Sequence, residues 1–290
     1  MRATAEEAAL SGEVGSVPVV SAVEAETISG VMIVIKLSAT DADGDAVAFR
    51  IKDAPRKGSA VIENDTLIYT PADGKTGTDK FTYCALDVLG NCSEPGEIRV
   101  KIRKNSTKLT YADMDQNASH YAAIRLHEAG IMTGEKIGAS YFFHPNATMT
   151  RGEFVAMAVS AGKYQIDETT KTDFIDDEAI SPWSKPYIST AAVNGLVQGY
   201  HTASGGSEIR AGNPITFDEA ASIVSCMITP YLDEPIRVSA NEGPDHWAAG
   251  ANAVLTAVDI LPREHSAAGT MPITRQAACD MIYEAYQIMK

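Results

Sequence analysis

An all-β sandwich followed by helix–loop–helix repeats is the fold this 290-residue sequence predicts, and three observations carry it. Up to about residue 104, short apolar runs alternate with polar residues and are separated by Gly-, Asp- and Pro-containing turns, the period-two pattern of half-buried strands. Beyond residue 108 the apolar spacing becomes helical. Within that second region Met149-Thr150-Arg151-Gly152-Glu153 returns as Ile273-Thr274-Arg275-Gln276-Ala277, with a weaker copy, Ile215-Thr216-Phe217-Asp218-Glu219, between them. The three threonines recur at roughly sixty-residue spacing, which marks an internal repeat. The length suits two domains or one domain plus a repeat array.

In chain order, residues 1–16 read as a flexible tail. Strands are expected over 17–22, 31–39, 47–51, 59–62, 67–70, 80–86 and 97–102, with turns at Asp43-Gly44, Lys57-Gly58, Asp73-Gly74 and Gly90-Asn91. Seven short strands in fewer than about 100 residues predict an immunoglobulin-like sandwich over 17–104. Asp41-Ala42-Asp43-Gly44-Asp45, Tyr69-Thr70-Pro71, Gly77-Thr78-Asp79-Lys80-Phe81-Thr82-Tyr83, Asp87, Gly90 and Asn91 follow in an order that resembles the cadherin-like or Ig-like repeats of bacterial surface proteins. The resemblance implies a spacer or adhesive module, sometimes with calcium. Asp41, Asp43 and Asp45 offer oxygen ligands, but an EF-hand needs Gly and Glu where Ala46 and Lys52 stand. An acidic turn and a weak calcium candidate are the two readings; no other cofactor is expected.

Cys226 and Cys279 fall at apolar helical positions, where cysteine is usually a small core residue. Cys84 and Cys92 flank a turn centred on Val88, which places them opposite each other across two strands. A disulfide there is a candidate and would imply an oxidising compartment. There is no CxxC pair to suggest zinc.

After a polar break at 104–108, three units are expected at 109–165, 172–229 and 240–290. Thr150 with Glu153, and Thr216 with Glu219, have the capping-box spacing of a helix start. Apolar residues follow at helical spacing after each. Arg151 and Arg275 occupy the first helical position, where the helix dipole disfavours a cation by up to about 1 kcal/mol. They are either solvated surface residues or partners of the free helix-start N–H groups in an anion site. Their recurrence favours the second reading.

Each unit adds an opening acidic segment (Tyr111-Ala112-Asp113, Phe174-Ile175-Asp176, Asp245-His246-Trp247), a first helix, and in the first two units Gly130-Ile131-Met132-Thr133-Gly134 or Gly195-Leu196-Val197-Gln198-Gly199. The pattern over 109–290 resembles three diverged S-layer homology (SLH) repeats. That resemblance implies helix–loop–helix units around a pseudo-threefold axis, non-covalent attachment to bacterial cell-wall polysaccharide of the pyruvylated N-acetylmannosamine type, and a surface location with the leader removed. It assigns Arg151 and Arg275 to carboxylate binding, with Thr150, Thr274 and Glu153 fixing the helix starts. Trp183 and Trp247 would stack on sugar. Asp113, Asp176 and Asp245 would accept sugar hydroxyls or act as structural pins, and Gly134 and Gly199 would approach the ligand or end helices. Ala118 replaces a motif tryptophan, Phe217 a motif arginine, Ala277 a motif glutamate and Asp259 a motif glycine. The copy at Phe217 is therefore expected to be blind.

The formal net charge of −14, most of it after residue 105, argues against nucleic acid and a polybasic membrane contact. No apolar run approaches the ~20 residues of a membrane span. The N-terminal residues lack a signal-peptide core, which fits a cytoplasmic protein or a processed surface one. Six histidines (His120, His127, His144, His201, His246, His265) show no HExxH spacing, and Ser204-Gly205-Gly206-Ser207 is no nucleophile elbow. The expectation is a non-catalytic wall-binding module. The alternatives are a scaffolding protein with degenerate repeats that serves surface assembly, or an adhesin acting through its β domain.

Overall fold

The computed structural model describes residues 15–45, 47–203, 205–234, 236, 247–260 and 269–290. Only Gly15 and Ser16 of the expected tail fall inside that range, and Asp245, His246 and His265 lie outside the described residues. The chain divides into two compact units, residues 1–109 with 115–121, and residues 110–114 with 122–290. Among the described residues no helix is long and apolar enough to cross a membrane.

Among its described residues the first unit holds nine strands: β1 (Val19–Val20), β2 (Val23–Ile28), β3 (Ile33–Lys36), β4 (Ala39–Thr40), β5 (Ala48–Asp53), β6 (Gly58–Glu63), β7 (Thr66–Pro71), β8 (Gly77–Leu86) and β9 (Gly96–Arg103). They form a four-stranded sheet in the order β2-β9-β8-β5, a three-stranded sheet β3-β7-β6 and a short β1-β4 pair. Leu67 and Tyr69 of one sheet and Phe81, Tyr83, Ile98 and Val100 of the other are buried. Tyr69 stacks on Phe81 with ring centroids 5.6 Å apart, so the inner faces meet as a sandwich core. Alternation alone accounts for this: every second residue of β9 is buried.

Three strand expectations need correction. The run 17–22 forms only the two-residue β1, and 31–39 divides into β3 and β4. β2 was not anticipated. It pairs in parallel with β9, from Val23 opposite Ile98 to Ile28 opposite Arg103. Its sequence, Val-Glu-Ala-Glu-Thr-Ile, has little apolar contrast; Glu24 and Glu26 instead face the cations Arg99 and Lys101 on β9.

The expected turn near Val88 is also displaced. Leu86 bridges Cys92, and Ser93 N–H donates to Ala85 O at 2.9 Å, so the hairpin centres on Leu89. Cys84 and Cys92 are diagonal rather than opposite, and both are free thiols.

In the second unit, each of the first two copies runs helix, small hairpin, helix. Copy one has α1 (His120–Glu128), the hairpin β10 (Glu135–Ile137) and β11 (Ser140–Phe142), then α2 (Arg151–Ala161). Copy two has α3 (Lys185–Val193), β12 (Tyr200–His201), β13 (Ser207–Glu208) and α4 (Phe217–Ile228). Copy three contributes α5 (Ala249–Ala257) and α6 (Arg275–Ile288).

The repeated segment before each second helix builds the centre. Thr148 bridges Thr274, Thr150 bridges Pro214, and Thr216 bridges Pro272, so each copy's segment is bridged to both of the others. The helices α2, α4 and α6 touch one another pairwise beyond it. Small residues allow the approach: Ala158, Ala220, Ala221, Ala278 and Ala285 are fully buried. The second helices of copies one and two also pack on the next copy's first helix, α2 on α3 and α4 on α5. Functional side chains at one copy's helix start therefore face groups from the next.

Candidate functional site

The three helix starts are capped by their threonines. Thr150 Oγ1 accepts from Glu153 N–H at 3.3 Å, and Glu153 Oε2 accepts from Thr150 N–H at 2.8 Å. Thr216 and Glu219 repeat both bonds at 3.4 and 3.0 Å. Thr274 accepts from Ala277 N–H at 3.1 Å, without the returning glutamate. Such caps each contribute roughly 1 kcal/mol.

The proposed participation of free helix-start N–H groups is corrected by the structure. Arg151 N–H donates to Asn213 O at 2.8 Å and Gly152 N–H to Ala211 O at 2.9 Å. Phe217 and Asp218 donate in the same way to Met271 and Gly269, and Arg275 and Gln276 to Ala147 and Pro145. Each helix start is thus closed by backbone carbonyls of a neighbouring copy. Any anion must be held by side chains.

The two motif arginines differ. Arg151 is only 8% exposed. Its Nη1 lies 3.5 Å from Glu219 Oε2, and its Cζ stands 5.3 Å over the Tyr200 ring. Arg210 covers the same ring, with its Cζ at 4.4 Å from the centroid. Among the described residues Arg151 Nε and Nη1 have no hydrogen-bond partner. Burial lowers the Arg151 pKa and the nearby Glu219 carboxylate opposes that shift. Arginine nevertheless stays protonated in proteins, so the site keeps a desolvated cation whose carboxylate partner, Glu219, stands at 3.5 Å, beyond good hydrogen-bond length.

Arg151 lines a groove of about 470 Å³ with Gly199, Tyr200, Glu219, Cys226 and Trp247. Trp247 is 65% exposed, so it presents an indole to the groove rather than filling a core. The structure thus brings Arg151, Gly199 and Trp247 together, one from each copy. Cys226, expected in the core, is exposed at the groove instead; Cys279 is fully buried.

Arg275 has no such spare capacity on two of its nitrogens. Its Nε donates to Phe143 O at 2.9 Å and its Nη2 to Thr133 O at 3.0 Å, with Cζ over the Phe143 ring. Its planar fork grips backbone of copy one. Phe217, at the equivalent position of copy two, is 4% exposed and packs inward.

The aspartates act as pins. Asp113 accepts from Phe143 and His144 N–H at 2.8 and 2.7 Å, and Asp176 from Ile209 and Arg210 N–H at 3.0 and 2.8 Å. His144 and Arg210 both have positive φ, 58° and 54°, and the two carboxylate bonds hold these tight loops. The reading of Asp113 and Asp176 as sugar acceptors is therefore replaced by the structural one; Asp245 lies outside the described residues. Gly134 and Gly199 are close-approach positions. A Cβ at Gly134 would lie 2.4 Å from Phe142 O, and at Gly199 2.7 Å from Glu208 O. Trp183 is 54% exposed beside Tyr187 and lies outside the Arg151 groove.

Tyr200 and Arg210 were missed. Both were legible as offsets within the repeat: Tyr200 directly follows the second glycine, and Arg210 stands where copy one has His144. In the first unit, Asp41, Asp43 and Asp45 bring carboxylate oxygens within 4.8 Å of one another. Calcium takes six to eight oxygens, so three monodentate carboxylates would leave positions for backbone carbonyls or water.

Comparison with known proteins divides the chain at the same place. Residues 15–101 match the bacterial Ig domain family, and residues 110–155 match the S-layer homology domain family. The chain is 30% identical over 132 residues to the Surface-layer 125 kDa protein of Lysinibacillus sphaericus, covering 43% of this chain and 11% of that protein. The chain thus spans only a small part of that relative's length. Similar solved structures include fibronectin(III)-like modules of CbhA from Clostridium thermocellum, at 15% identity and TM-score 0.24 over 32% of this chain and 50% of that one. A variant of the SrpA adhesin from Streptococcus sanguinis is similar at 14% identity and TM-score 0.26, over 35% of this chain and 65% of that one.

Proposed function

We propose that the second unit anchors the protein non-covalently to an anionic bacterial cell-wall polysaccharide, with the Arg151 groove as its principal site and the Ig-like unit as a spacer. The S-layer homology match and the surface-layer relative support attachment at the cell surface. In this reading the three copies are SLH repeats about a pseudo-threefold axis. A pyruvate ketal on N-acetylmannosamine would place its carboxylate against Arg151 and a sugar face on Trp247.

One observation carries the proposal. Arg151 is a nearly buried guanidinium with two nitrogens lacking hydrogen-bond partners among the described residues, set in a groove that also presents an exposed tryptophan. Both nitrogens are sealed from solvent, so a carboxylate entering the groove would pair with the guanidinium charge in a partly desolvated setting, where charge-assisted bonds are worth most, and would reach those donors only as the neighbouring side chains give way. Arg210, which shares the Tyr200 ring, adds positive potential that offsets the acidic surface.

The test is calorimetric titration of the full chain with native wall polymer and with the same polymer after mild-acid removal of pyruvate. Saturable binding to the first and loss of about tenfold or more with the second is expected. Equal affinity for both sinks the carboxylate assignment.

Copy two supports a second role alongside this one. Phe217 packs inward in place of an arginine, and Asp218, 1% exposed, accepts from Asn252 Nδ2 at 3.1 Å. That helix start is built as a packing joint, and copy two contributes scaffolding there rather than a second anion site.

A further inference from the structure

We propose that Cys84 and Cys92 form a reversible dithiol–disulfide switch in the Ig-like unit, closed by small-molecule disulfides and reopened by small thiols. Its residues belong to the first unit and include none of those lining the Arg151 groove.

Its geometry comes from the hairpin that follows β8. Leu86 bridges Cys92, and Ala85 exchanges bonds with Ser93: Ser93 N–H to Ala85 O at 2.9 Å, and Ala85 N–H to Ser93 Oγ at 3.0 Å. Side chains two residues apart on a strand share a face, so Cys84 and Cys92 lie on one face as diagonal neighbours. Cys84 is fully buried and Cys92 is exposed. The polar neighbours of the Cys84 thiol are Cys92 and Arg50, its cross-strand partner on β5. Burial and the adjacent Cys92 raise the Cys84 pKa, while the Arg50 guanidinium favours the thiolate.

This division of exposure sets the order of steps. The Cys92 thiolate attacks a sulfur of the incoming disulfide, forming a mixed disulfide and releasing one small thiolate. Cys84, as its thiolate, then attacks Cys92 Sγ and expels the second small thiolate. Two protein thiols are oxidised by two electrons, and the small disulfide is reduced to two thiols.

Register explains why the bond would be reversible. Diagonal neighbours stand roughly 7–8 Å apart, whereas disulfide-linked Cα atoms usually lie within about 6.8 Å. Closing the bond must shift the strand ends against the 87–91 turn, which Asp87 pins by accepting from Leu89 and Asn91 N–H, each at 2.8 Å. A bond made against such resistance is more easily reduced than an unstrained structural one.

The full chain, incubated with oxidised glutathione, acid-quenched, alkylated and peptide-mapped, tests this. The parent should yield a Cys84–Cys92 cross-link that excess reduced glutathione reopens. C84S should retain glutathione on Cys92. In C92S, a surface change that leaves the core intact, Cys84 modification should fall by about tenfold or more, because its route in is lost. Stable glutathione on Cys92 of the parent with Cys84 still reduced, or no reaction at either cysteine, overturns the proposal. So does Cys84 of folded C92S reacting as fast as Cys92 of the parent.

Discussion

Arg151 and Arg275 share a motif and a helix position but not a job. Arg275 spends its fork on the Phe143 and Thr133 carbonyls, whereas Arg151 retains donors beside Trp247. Sequence reasoning placed both correctly at first helical positions. It could not separate them, because what occupies each guanidinium comes from another copy, distant in sequence. The same limit applied to Asp113. Its place before a helix was legible, but the two N–H groups that consume its carboxylate belong to Phe143 and His144. Asp113→Ala is accordingly expected to destabilise the second unit by roughly 1–3 kcal/mol. Denaturant unfolding checks this, with glycan affinity of the folded variant unchanged. A variant of parental stability but weakened affinity would return Asp113 to the ligand site.

At the scale of elements, helices and caps were the most legible parts. Apolar spacing located the second helices, and Thr-x-x-Glu marked two of their starts to the residue. β2 escaped because its pairing rests on cross-strand charge and a parallel register, neither of which leaves an alternating apolar signal. The strand was expected from Lys80 but begins at Gly77, and Asp79 within it is the polar centre of the sandwich. It is 2% exposed and accepts from Arg56, Lys57 and Lys80 N–H and from Tyr69 Oη. Burial raises its pKa, but these donors outweigh burial and hold it below the ordinary carboxylate value. A depressed folded pKa stabilises fully above the unfolded value of about 3.9 and is lost as pH falls through the folded one. Thermal melts of the first unit's transition should therefore be flat near neutral pH and decline below about pH 4. Asp79→Asn should lower the neutral melting temperature and flatten that acid limb. An unchanged acid limb would remove Asp79 from this role.

The whole molecule combines a spacer-like sandwich with a three-copy unit whose copies have diverged in use. The closed set of bridges Thr148–Thr274, Thr150–Pro214 and Thr216–Pro272 needs all three segments, so copies can lose ligand residues while keeping the packing. The most direct measurement compares Arg151→Ala with Arg275→Ala by titration against pyruvylated wall polymer, alongside thermal melts. The account predicts that Arg151→Ala, destabilised by the loss of its Glu219 and Tyr200 contacts but still folded, loses about tenfold or more in affinity, while Arg275→Ala lowers stability and leaves the affinity of the folded protein near parental. Parental affinity in folded Arg151→Ala would contradict it.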